Sequence, residues 1–241
     1  MAGKKFLDLE GLTDYNTRLN AKLDQKFVAQ EAGKGLSKND FTDEYKKMID
    51  DLAYVPMAIN SFSNTVNTVE MGSTVNDVTL NWTLNKQPKT LKLDNEVLDV
   101  SLRTKALTAQ GIKTDKSWTL SATDERDKTV TKSTKITFLN GVYWGVAESK
   151  DAFDSTFILS LTKGLQASKG KTFTVNAGAG KHIYYAVPTR YGACGFNVGG
   201  FDGGFGKVAT IDFTNASGHT ESYDIYKSDN AGLGSTTVKV S

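Results

Sequence analysis

The chain has 241 residues, 39% of them hydrophobic and 23% charged, with a formal net charge of +2, the make-up of a folded protein of one to three domains rather than a disordered one. Basic and acidic side chains balance along its whole length, which argues against a nucleic-acid partner, and no run reaches the roughly 20 apolar residues of a membrane span. A single cysteine, Cys194, leaves no intrachain disulfide to form and fits folding in a reducing cytoplasm. Met1 to Asp8 carries charge with no apolar run behind it, so no signal peptide is expected.

Residues 1–57 read as helix, turn, helix. Leu12, Tyr15, Leu19, Leu23 and Phe27 recur at steps of three and four, one apolar stripe on a helix whose other faces carry Asp14, Arg18, Lys22 and Lys26. A helix this short is marginal alone, so the stripe must be covered by the chain's own body or by identical helices, and it marks an attachment and oligomerisation segment. Ala32-Gly33-Lys34-Gly35 interrupts the pattern. Thr42 then reads as an N-cap, Tyr45, Met48, Ile49 and Leu52 as a second stripe, and Pro56 as the stop.

Residues 58–139 read as a β domain. In Val78 to Asn85 every even position is apolar and every odd one polar, the period of a strand with one buried face. Trp118, Leu120 and Ala122 repeat the pattern, as do Ile136 and Phe138, while Lys132 and Thr134 place the first half of that run near an edge. Shorter runs at Ile59 to Phe62, Val66 to Met71, Leu91 to Leu93 and Val97 to Leu102 complete a set suited to an immunoglobulin-like sandwich. Trp82 and Trp118 are its expected core.

Asn140-Gly141, between two apolar runs, predicts a hairpin and places a boundary near residue 140. Residues 140–241 then form a second β domain, with strands at Thr156 to Leu161, Thr172 to Val175, His182 to Val187, Val208 to Phe213, Ser222 to Tyr226 and Thr236 to Val240, and a helix no longer than Ser149 to Phe153. The expected architecture is mainly β with an N-terminal α segment: a helical attachment region, the sandwich, and a C-terminal β domain.

Little of the chemistry-bearing sequence assembles into a catalytic motif. Asn176 to Lys181 ends in Gly-Lys but lacks the earlier glycine and the following Ser or Thr of a phosphate loop, so it reads as a turn. His182 and His219 stand far apart with no metal-ligand spacing, and no cofactor is expected. The carboxylate pairs Asp151 and Asp154, Asp124 and Asp127, and Asp94 and Asp99 lie in turn-like sequence, where short acids favour chain reversal over glycosidase work. Gly199 to Gly206 repeats Gly-Gly-Phe; its rings, Phe201 and Phe205, either plug the core or form an adaptable contact surface for a receptor or a neighbouring subunit.

Glu31 to Met48, EAGKGLSKNDFTDEYKKM, resembles a segment of phage and prophage tail-fibre and baseplate-appendage proteins, where it joins an N-terminal attachment part to β modules. The β module that follows is similar to the immunoglobulin-like domains of such proteins. Tyr184 to Gly192 and Phe213 to Asp229 are similar to their ends. The resemblance implies a non-enzymatic virion protein assembled in the host cytoplasm, a fibre or appendage subunit for host attachment. Its implied partners are further copies of itself, as a homotrimer, other virion proteins reached through the N-terminal helices, and a host surface glycan or protein. A capsid head fibre or decoration protein that binds glycans is the alternative, with a polysaccharide-degrading tail protein behind it.

Overall fold

The structure, a computed structural model, describes residues 9–26 and 43–241. It is mainly β and divides into two units, Met1–Val55 and Pro56–Ser241.

The first unit holds α1 (Leu9–Lys26) and α2 (Asp43–Ala53). An ion pair between Arg18 and Asp14, one turn apart at 3.1 Å, lies on the polar side of α1. Asp43 and Glu44 sit in the first turn of α2, where the helix dipole favours carboxylates, and Pro56 follows three residues after its end. Phe27, the break at Ala32 to Gly35 and the Thr42 cap lie outside the described residues.

The second unit opens with β1 (Ile59–Asn64), β2 (Thr68–Glu70), β3 (Val78–Leu84), β4 (Thr90–Leu93), β5 (Glu96–Leu98), β6 (Thr104–Leu107), β7 (Lys116–Thr123) and β8 (Thr129–Glu148). Strands β1, β3 and β6 make one antiparallel sheet, and β8, β7, β4 and β5 follow one another in a second. Both contribute to a single core that includes Phe62, Leu80, Trp82, Leu91, Trp118, Leu120 and Ile136, so this part is a two-layered sandwich. The period-two reading therefore places the core correctly. Trp82 Nε1 donates to the Leu102 carbonyl at 2.9 Å, which satisfies the one polar atom that burying the indole would orphan. Over Thr129 to Ile136, β8 is hydrogen-bonded as a strand to β7 alone, and the ammonium of Lys132 reaches the Asn60 carbonyl at 2.8 Å.

β8 is the element that differs most from expectation. Asn140-Gly141 makes no hairpin: the 20-residue strand runs straight through it. The flanking runs do not pair with each other because each has another partner. Thr129–Ile136 pairs with β7 and Thr137–Leu139 with β2, and Asn140–Glu148 pairs with β9 (Thr162–Gln166) and β11 (Lys181–Pro188). Gly141 is needed for packing rather than for a turn, since a Cβ there would lie 2.7 Å from the ring of Tyr143.

The remaining elements are α3 (Ser155–Leu159), β10 (Lys171–Ala177), a 3-10 turn at Thr189–Tyr191, β12 (Phe196–Val198), β13 (Phe201–Asp202), β14 (Phe205–Thr214), β15 (Thr220–Ser228) and β16 (Gly234–Val240). The expected strand at Thr156 to Leu161 is α3 instead, and Ser149 to Phe153, where a helix was expected, is irregular, because Asp154 caps a helix that starts after it, accepting from the Phe157 N–H at 2.8 Å. Strand β11 is buried on both faces. Ile183, Tyr185 and Val187 face a core shared with the sheet β10-β16-β12-β13, while Tyr184 and Ala186 face another that includes Phe157 and Ile158 of α3.

The turn Asn215 to His219 joins this part to the sandwich. Asn215 Nδ2 donates to the Met71 carbonyl at 2.8 Å, and Ser73 and Ser217 share a hydroxyl bond at 2.9 Å. Beside them Glu70 accepts from Tyr143 Oη at 3.2 Å and pairs with Lys163 at 2.8 Å.

Candidate functional site

The sheet β10-β16-β12-β13 ends in a glycine-rich hairpin. Val198 pairs with Phe201 across Gly199 and Gly200, whose φ values of +58° and +96° are those of a two-residue turn that a side chain would strain. Alternation then sorts the surrounding residues. Phe173, Val238 and Phe196 are buried toward the core. Thr172, Lys239, Asn197 and Asp202 stand in register across the four strands and occupy the opposite, outward positions.

The two rings of the Gly-Gly-Phe repeat part company. Phe201 is 81% exposed, one of the most exposed large apolar side chains described. Phe205 is half-buried and stacks on Phe196, with centroids 4.3 Å apart and planes 5° from parallel. Phe205 thus helps fill the core, and Phe201 is the ring left on the surface.

Beside the hairpin a cleft of about 650 Å³ is lined by Cys194, Phe196, Asn197, Asp202, Phe205, Lys239 and Ser241, with Gly195 and Gly203 contributing backbone alone. Asn197 Nδ2 donates to Asp202 Oδ1 at 2.7 Å. Burial pushes the Cys194 thiol up to about 11, so it stays protonated at neutral pH and is a poor nucleophile. Sequence reasoning singled out neither Asn197 nor Lys239. Lys239 lies between the buried Val238 and Val240, and Asn197 between the buried Phe196 and the half-buried Val198, a signal that was present, but their meeting is set by strand register.

Four of the six paired acids hold local structure. Asp124 is fully buried and accepts from the N–H groups of Arg126 and Lys128 at 2.9 Å each. Asp99 accepts from the Ser101 hydroxyl and N–H, bonds that hold its carboxyl below the usual range. Asp94 accepts from the Thr119 N–H at 2.8 Å, and Asp154 is the α3 cap. His182 Nδ1 bonds the Ser228 carbonyl, and His219 lies 3.6 Å from Glu221. Among the described residues no three His, Cys, Asp or Glu side chains converge as a metal site requires, and no helix is long and apolar enough to cross a membrane.

On α1, the stripe residues Leu12, Tyr15, Leu19 and Leu23 are all exposed, at 49%, 56%, 39% and 41%. Met48, Ile49 and Leu52 on α2 are exposed as well. Leu9 extends the α1 stripe by one position that the sequence pattern left out.

No protein-family model matches the chain, and no curated protein matches it. Among solved structures, the N-terminal eight Ig domains of Down Syndrome Cell Adhesion Molecule isoform 1.30.30 align over 73% of this chain and 23% of that one, at 10% identity and a TM-score of 0.24. An alpha-L-rhamnosidase from Dictyoglumus thermophilum aligns over 76% of this chain and 24% of its own length, at 11% identity and a TM-score of 0.26. Superpositions this loose establish neither a shared fold nor an activity.

Proposed function

We propose that this chain is a non-enzymatic structural subunit of a bacteriophage particle, a fibre or appendage that assembles through its N-terminal helices and meets the host through its C-terminal part. The observation that carries the reading is the exposed apolar stripe of α1. Eighteen residues of helix with every described stripe residue open to solvent draw little stability from packing, and such helices become stable when copies bury the stripe against one another. Three copies are the arrangement that the resemblance to fibre proteins implies. The sandwich serves here as an immunoglobulin-like spacer, and the bonds from Asn215 and Ser217 hold it to the C-terminal part.

Assembly gives weak tip contacts their use, because several copies engaged together raise the effective concentration of each. Immunogold electron microscopy of intact particles, with antibody against residues 140–241, tests the proposal. Label at the distal end of the tail supports an attachment fibre, and label over the capsid assigns a head fibre or decoration protein. Abundant particles without label, in a lysate where the antibody detects the chain, refute a place in the virion.

A further inference from the structure

We propose that the cleft beside the Gly-Gly-Phe hairpin binds an uncharged oligosaccharide through Asn197, Asp202, Lys239 and the ring of Phe205. The inference deepens the attachment reading and rests on it for its biological purpose. Its physical basis is the lining of the cleft.

The volume, about 650 Å³, falls within the roughly 300–1,000 Å³ of small-ligand sites. Among the side chains that line it are one carboxylate and one ammonium, whose charges cancel, and the Ser241 hydroxyl adds a neutral donor and acceptor. A phosphate or sulfate would meet Asp202, and a cation would meet Lys239; neither gains the single-sign field that draws such ligands. A purely apolar ligand would strip water from the four polar side chains Asn197, Asp202, Lys239 and Ser241 without replacing their bonds. What suits the set is a ligand with many neutral hydroxyls, each able to donate and to accept. Asp202 supplies acceptors, Lys239 supplies donors, and the Asn197 amide supplies both.

The bond from Asn197 Nδ2 to Asp202 Oδ1 engages one carboxylate oxygen, and the second can accept from a ligand hydroxyl. It also fixes the amide, so that little side-chain entropy is lost on binding. Phe205 is held in place by its stacking on Phe196, and the part of the ring that lines the cleft offers an apolar, aromatic contact for the C–H groups of a pyranose ring. Gly195 and Gly203 keep the rim low. The protonated Cys194 adds a weak donor without adding charge. Phe201 takes no part, because alternation along β13 directs it away from the face that carries Asp202.

The test is an array of neutral gluco-, galacto-, rhamno- and N-acetylhexosamine oligosaccharides beside sialylated and phosphorylated ones, probed with the labelled full chain and followed by calorimetry on the retained sugars. The expected result is retention of at least one neutral oligosaccharide. Affinity should fall at least tenfold in Asp202→Ala and in Lys239→Ala, both exposed positions whose folding is checked by melting temperature, and should stay within twofold in Phe201→Ala. Retention of acidic glycans only, no retention at all, or neutral binding that survives both cleft variants or is lost with Phe201→Ala overturns the proposal. Particles labelled by immunogold together with a silent array would sink the sugar site and leave the attachment reading standing; the opposite pair of results would do the reverse.

Discussion

Asn215→Ala is the sharpest test of how the sandwich and the C-terminal part are joined. The side chain is 8% exposed and makes three bonds: Nδ2 to the Met71 carbonyl at 2.8 Å, and Oδ1 accepting from the Ser217 and His219 N–H groups at 3.0 Å each. A hydrogen bond contributes about 0.5–1.5 kcal/mol net, and a buried partner left unpaired costs about 1–3. The two N–H groups lie in an exposed turn and can rehydrate at the low end of that range, whereas the half-buried Met71 carbonyl loses more. The sum is about 2–3 kcal/mol, or a fall of roughly 5–10 °C in Tm for a domain of this size. Urea denaturation at fixed pH, read by tryptophan fluorescence, measures it. Ser217→Ala, which deletes only the exposed hydroxyl bond to Ser73, should cost no more than about 0.5 kcal/mol. An Asn215→Ala midpoint matching that of Ser217→Ala would refute the argument.

Gly141→Ala should destabilise by more than about 2 kcal/mol, because its Cβ would fall 2.7 Å from the ring of the fully buried Tyr143; a neutral result in thermal melting would mean that the strand bends there. Asp154→Ala should cost about 1 kcal/mol by uncapping α3, with Asp154→Asn recovering most of the loss. Cys194 should react with iodoacetamide at pH 7.5 at least tenfold more slowly than an unfolded cysteine, since burial raises its thiol to about 11. The raised folded value also sets a sign: its contribution to stability is full below the unfolded value near 8.5 and is lost between there and about pH 11. Comparison with Cys194→Ala between pH 8.5 and 10, below the range of the buried tyrosines, isolates this slope.

The sandwich was legible because its strands have one wet face. Val78, Leu80 and Trp82 are buried while Asn81 is exposed, and Trp118, Leu120 and Ala122 alternate with less buried residues in the same way. Asn140-Gly141 misled because a turn signal is local, and the partners that straighten β8 are remote: β2 lies 69 residues earlier at each paired position, as from Glu70 to Leu139, and β11 follows it. Strand β11 shows no alternation because both its faces meet a core, so its apolar run marked a strand without saying which residues pack where. The cleft lay further out of reach. Asn197, Asp202 and Lys239 come together only through antiparallel register among three strands, although Phe201 and the stripe of α1 stood out in the sequence itself.

Sedimentation velocity on the full chain, beside a Leu12→Glu/Leu19→Glu variant, tests the central claim that the N-terminal helices hold copies together. The account predicts a discrete oligomer for the native chain, with a trimer as the form the fibre resemblance implies, and a monomer with an unchanged β circular-dichroism signal for the variant. A native chain that sediments as a monomer up to high concentration, or an oligomer that survives both substitutions, would contradict it.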